Sequence, residues 1–191
     1  MLQFKYNQII IKQKNMTDLT TPVVKLVSDE EVSGEAKKIF EQMRAKSGKV
    51  PTWMRVMANC DDTLAGFSAL FSSVMDDAPT DKLLKWKIAY VVSELNKCHY
   101  CVSVSTSQLE AMGLDEESLS EIEQVCKTEE CIAIEYAKAV TMAAYKVDDA
   151  LMKKMKEHFT DQQIVEITSV IGLFNYINRF NDALRVFPEV K

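Results

Sequence analysis

Apolar residues recur along this chain with the period of a helix, and strand-like alternation is nowhere sustained. Over residues 29–46, Val32, Ala36, Ile39, Phe40 and Met43 share one side of a predicted helix, with charges opposite. Pro51 sits where the next helix begins, a position at which its missing N–H costs nothing. Asp61 or Asp62 is expected to cap the segment striped by Leu64, Phe67, Leu70, Phe71 and Val74. Pro79 and Thr80 interrupt the pattern, and a helix running to about Asn96 follows. Leu83, Leu84, Trp86, Ile88, Tyr90, Val91, Val92 and Leu95 make it apolar around most of its circumference, which places it inside a bundle or a subunit interface.

A further helix begins near Cys98 and stops at Gly113, a residue suited to a left-handed C-cap. Shorter patterns cover 115–126 and 128–146, the latter with Glu129 and Glu130 at its positive N-terminal end. After a short helix over 149–159, Thr160-Asp-Gln-Gln163 fits a capping box. It opens the longest helix, expected to reach about Val186 before Pro188. The expected class is all-α, with residues 1–28 as an N-terminal extension and 29–191 as one helical domain.

Composition narrows the function. The chain has 191 residues, 47% of them hydrophobic, and a formal net charge of −5, enough for a real core but without the basic surface that nucleic acid or an anionic membrane demands. No apolar run approaches the ~20 residues of a membrane span. Ile9, Ile10 and Ile11 are too few for a secretory signal, so a cytoplasmic location is expected, where five cysteines would not form structural disulfides.

The most informative tetrapeptide is Cys98-His99-Tyr100-Cys101. Its spacing puts two sulfurs one turn apart on one face, at the start of a helix whose unsatisfied N–H groups favour thiolate. His99, beside the pair, would favour thiolate further as imidazolium. Three readings are open: a redox pair, inert buried thiols, or half of a zinc site completed by Cys126 and Cys131. The C-x4-C spacing of the second pair departs from the usual zinc ribbons, and both residues fall where small apolar side chains pack. Cys60 and His158 read as lone packing residues. On the last helix, Asn175, Asn178, Arg179 and Asp182 recur at i, i+3, i+4 and i+7. They either tie helices together through buried hydrogen bonds or bring Asn178 or Arg179 close to the thiols.

The stretch Ser93-Glu-Leu-Asn-Lys-Cys-His-Tyr-Cys101, followed by Gly113, resembles the core motif of the alkylhydroperoxidase D / carboxymuconolactone decarboxylase family, in its peroxidase-related branch. Val50-Pro-Thr-Trp-Met-Arg-Val-Met-Ala-Asn59, with the Leu64 to Phe71 helix, is similar to the helix pair preceding the motif there. Phe174-Asn-Tyr-Ile-Asn-Arg179, with Ala183 and Leu184, resembles that branch's long C-terminal helix, so the likeness spans about 30–187. The resemblance implies a helical bundle that oligomerises through apolar helices, as trimers or hexamers. It also implies an antioxidant peroxidase that needs no cofactor and no metal, with a hydroperoxide substrate and an external thiol or disulfide reductant.

In the resemblance Cys101 attacks the peroxide and Cys98 resolves the sulfenic acid, although position at the helix start favours Cys98 as the more thiolate-prone sulfur. Where the family carries a proton-relaying His and Glu, this chain has Ser105 and Trp86. Neither residue titrates near neutrality, so His99 and Glu94 stand as substitutes. The alternatives are a redox sensor or weak disulfide reductase on the same fold, and a lactone-decarboxylating lyase that ignores the sulfurs.

Overall fold

A computed structural model describes residues 21–76, 79–122 and 126–188. Among them every regular element is helical: α1 (Gly34–Ser47), α2 (Thr52–Met57), α3 (Asp61–Met75), α4 (Lys82–Asn96), α5 (His99–Ala111), α6 (Glu116–Ser120), α7 (Thr128–Ala143), α8 (Asp149–His158) and α9 (Asp161–Ala183), with a 3-10 turn at Ala144–Lys146. The expected all-α class is what the chain adopts. None of these helices is long and apolar enough to cross a membrane. Packing divides the described residues into two compact units, 21–65 with 181–188, and those within 66–180.

In the first unit Ala36, Phe40, Val50, Met54, Val56, Met57 and Leu64 are buried. Asp61, expected to cap α3, puts its carboxylate on the start of α1, accepting the N–H groups of Glu35 (3.2 Å) and Ala36 (2.6 Å). That approach needs a glycine at 34: φ is +59° there, and an added Cβ would lie 2.5 Å from Asp61 Oδ2. Residues 21–28 run along this unit. Val23 N–H donates to Leu184 O, Val27 N–H to Arg55 O, and Asn59 to Lys25 O.

In the second unit α4 packs against α5 and α7. Asp81 caps it by accepting Leu84 N–H at 3.1 Å, and Leu84, Trp86, Ile88, Ala89, Val91, Val92 and Ser93 are buried. Trp86 lies between Phe71 and Phe174, with ring centroids 6.5 and 6.0 Å away. Lys85 is the exception to this apolar helix. Its stem is fully buried and Nζ donates to Glu166 Oε1 (2.7 Å) and Asp76 O (2.5 Å), while Glu166 Oε2 accepts Thr80 N–H (2.8 Å). The periodicity shows where a side chain lies, and it carries no sign of a carboxylate 81 residues away.

A second polar cluster ties the end of α4 to α9. The Asn96 amide donates to Asn178 Oδ1 (2.9 Å) and Asn175 Oδ1 (3.1 Å), and Asn178 donates onward to Ser93 Oγ (3.1 Å). Asn175 donates to Thr141 on α7, and the Arg179 guanidinium donates to Asn175. Ser93 and Asn178 are fully buried, so the bond between them is made where its loss would not be replaced by water.

Helix ends follow local signals with a few departures. Gly113 turns left-handed at φ +94°, and Thr160 and Gln163 exchange the two bonds of a capping box. The 115–126 pattern forms only the short α6, ending at Ser120; residues 123–125 lie outside those described. The last helix ends at Ala183, short of Val186, with Arg185 in a left-handed turn at φ +56°.

Two stability measurements follow. Burial acts to raise the Glu166 carboxyl, but the hydrogen bonds from Lys85 and Thr80, with the Lys85 charge, outweigh it and hold it below the ordinary carboxylate value. The contribution is therefore complete above the ordinary value of 4.5 and fades as pH falls through the lowered one. Glu166→Gln should cost about 3 kcal/mol at neutral pH and flatten the acid limb of stability, read by urea unfolding from pH 7 to 3. Asn178→Ala should cost about 1–3 kcal/mol in the same assay, because Ser93 and Asn96 lose a buried partner.

Candidate thiol site

The sulfurs are placed by the way α4 stops. Lys97 adopts a left-handed conformation at φ 63°, its N–H donates to Glu94 O, and the N–H of Cys98 reaches back to Ser93 O at 3.1 Å. This is the Schellman closure, made here with lysine at the position where glycine is usual. Cys98 then serves as the N-cap of α5, its carbonyl accepting Val102 N–H at 2.9 Å. One residue thus ends one helix and starts the next.

Cys101 lies one turn into α5, and its Sγ is 2.9 Å from Cys98 Sγ. The two sulfurs are in contact and are not joined, about 0.9 Å beyond the ~2.05 Å of a disulfide. Cys98 is 0% and Cys101 4% exposed. His99 is exposed at the first position of α5, and Glu94 is half-buried on the last turn of α4. Ser105 lies one turn beyond Cys101 on the same face of α5 and is fully buried. Its Oγ has no hydrogen-bond partner among the described residues, and neither has Trp86 Nε1. A buried unsatisfied donor costs about 1–3 kcal/mol. The structure thus brings Cys98, Cys101 and Ser105 to one buried face and leaves His99 toward solvent.

The sequence reading missed Asn96, which belongs to the polar cluster and stands two residues before Cys98. The only local signal was an amide at the last position of a helix otherwise closed by lysine. Cys126 and Cys131 correct an expectation. Read as packing thiols or zinc ligands, they are joined to each other in a disulfide, with Cα atoms 5.5 Å apart. Their spacing across the start of α7 brings the two Cβ atoms together, which the C-x4-C pattern alone did not reveal. Cys60 is exposed and its Sγ accepts from Thr63 Oγ1, so it does not pack in a core. Among the described residues no three His, Cys, Asp or Glu side chains converge as a metal site.

No protein-family model matches the chain. Over 114 residues it is 29% identical to the uncharacterized protein YnjA of Escherichia coli K12, a match covering 57% of this chain and 63% of that protein. The chain thus spans less than two thirds of the length of that relative. Solved structures match more of it. An uncharacterized peroxidase-related protein from Silicibacter sp. TM1040 gives a TM-score of 0.81 at 24% identity, over 93% of this chain and 96% of that one. A peroxidase-related protein from Ralstonia eutropha JMP134, described as an alkylhydroperoxidase AhpD core, gives 0.76 at 21% identity, over 89% and 92%. The debrominase Bmp8, in a cysteine-to-alanine form bound to 2,3,4-tribromopyrrole, gives 0.72 at 21% identity, over 93% and 95%. With its helices in this arrangement, the chain has the alkylhydroperoxidase D-like fold of the peroxidase-related proteins.

Proposed function

We propose that this chain is an antioxidant, thiol-dependent peroxidase that reduces hydroperoxides through Cys98 and Cys101. The observation that carries the reading is the 2.9 Å approach of the two sulfurs at the α4–α5 junction. In the first step the Cys101 thiolate attacks one peroxide oxygen and the O–O bond breaks. The alcohol leaves after taking a proton, and Cys101 becomes a sulfenic acid. Cys98 then attacks that sulfur, the S–S bond forms, and the hydroxyl departs as water. An external thiol reductant returns both sulfurs to thiols and is itself oxidised to a disulfide. The sum is ROOH + dithiol → ROH + H2O + disulfide.

Ser105, one turn beyond Cys101, donates a hydrogen bond to the peroxide and to the departing alkoxide, its buried hydroxyl having no protein partner to give up. It supplies no proton, so the departing alkoxide takes its proton from water. Proton transfer by a positioned acid is worth 10²–10⁴-fold, and its replacement by a fixed donor makes this a slow peroxidase. With Cys101 4% exposed, a slender hydroperoxide reaches the sulfur with the least side-chain movement.

The fold likeness to the debrominase Bmp8 favours one other use of the same pair. A dithiol supplies the two electrons for ArBr + dithiol → ArH + HBr + disulfide. Bromide release from a bromopyrrole, set against peroxide consumption, separates the two readings.

Steady-state peroxide consumption with a thiol reductant tests the proposal. Cys101→Ser and Cys98→Ser should each lower turnover by about 100-fold or more, since each removes one end of the disulfide. Two cysteine variants with wild-type rates would sink it. Ser105→Ala should lower kcat by about tenfold while leaving Cys98–Cys101 oxidation stoichiometric, the signature of a lost transition-state donor.

A further inference from the structure

We propose that Cys126 and Cys131 form a second thiol–disulfide exchange site, independent of Cys98 and Cys101, whose substrates are low-molecular-weight thiols and disulfides. The pair sits at a particular place in α7. Lys127 is the N-cap, which makes Cys126 the residue before the cap and Cys131 the fourth residue of the helix. These are the two positions that a hydrophobic staple joins, so the entry of the chain into the helix already brings the side chains into contact. The Cα separation of 5.5 Å lies within the range a disulfide spans. Bond formation therefore needs no rearrangement of the helix start, and the reduced pair retains the same contact as two apolar sulfurs.

Both residues are half-buried, more open than Cys98 and Cys101, so a small thiol can reach this disulfide. The loop it closes is short, and short loops gain least from closure, which keeps the bond reversible. In the exchange a thiolate attacks one sulfur, the other leaves and takes a proton, and a second thiol resolves the mixed disulfide. The sum is protein disulfide + 2 RSH → protein dithiol + RSSR, and the reverse reaction uses the same low-molecular-weight disulfide as oxidant.

Position makes the site separate. At the far end of α7, Thr141 accepts from Asn175, which in turn accepts from Asn96 beside Cys98. Thr141 is ten residues from Cys131, about 15 Å along the helix. At the near end Glu130 pairs with Lys87 at 2.8 Å, and Lys87 is nine residues, about 14 Å, from Asn96. The two pairs thus lie toward opposite ends of the α4–α7 contact, too far apart for one sulfur to attack the other within a chain. The Cys126–Cys131 bond instead governs the first turn of α7, where Glu130 holds the helix to α4.

The test equilibrates the whole protein in buffers of graded reduced-to-oxidised glutathione ratio, traps thiols by alkylation and weighs the cysteine peptides. Amide exchange over 129–132 is followed in parallel. Cys126 and Cys131 should convert together in one two-electron transition whose midpoint is the same in a Cys98→Ser/Cys101→Ser variant. The amides should exchange about tenfold faster once the pair is reduced. A Cys126→Ser/Cys131→Ser variant should exchange fast in every buffer. A pair that stays oxidised at the most reducing ratio, two separately glutathionylated thiols, or a midpoint that moves in the Cys98→Ser/Cys101→Ser variant would each overturn the proposal.

Discussion

The thiol site depends on one backbone reversal, at Lys97. A left-handed residue there lets the Cys98 N–H close α4 on Ser93 while the Cys98 carbonyl opens α5. Had α4 run on, both cysteines would lie further along a single buried helix, still one turn apart but away from any helix start. A non-glycine residue in this conformation costs about 1 kcal/mol, and the surrounding bonds must hold it. They do so from both sides. Ser93 receives Asn178, and Asn96 is gripped by Asn175 and Asn178, so the last turn of α4 is fixed to α9 just where the chain must turn. The amide cluster and the sulfur contact belong to one piece of architecture.

How far the sequence discloses this depends on whether a signal is local. Gly113, the Thr160–Gln163 box and the break between Asn96 and Cys98 each act within a few residues, and each is found where its chemistry puts it. Interactions across the fold left no such mark. Lys85 sits in an apolar stripe and gives no hint of Glu166, and Asp61 looks like a cap for its own helix while its oxygens serve α1. The asparagines of α9 showed as a stripe, but their partners at the end of α4 needed the packing of two helices. Cys126 and Cys131 were hidden differently: their spacing fits packing thiols better than zinc, and only the entry of the chain into α7 shows that the two meet.

Ser105 and Trp86, where the family pattern read in the sequence carries a His and a Glu, are both buried. Each presents a donor with no partner among the described residues. Donors that cannot ionise hold an oxygen without committing a proton. Under the proposed peroxidase reading, that property suits Ser105 to a site in which charge develops briefly on a departing alkoxide. In that reading the chemistry is left to the sulfurs, whose distance the helix junction sets.

The most direct measurement is the mass of the fragment spanning residues 95–110, released by cleavage after glutamate. It contains Cys98 and Cys101 and no other cysteine. After brief exposure of the native protein to one equivalent of a small hydroperoxide, it should be lighter by two hydrogens and should regain them on treatment with dithiol. A fragment of unchanged mass while peroxide disappears, or one carrying added oxygen on either sulfur without a bridge, would contradict the account.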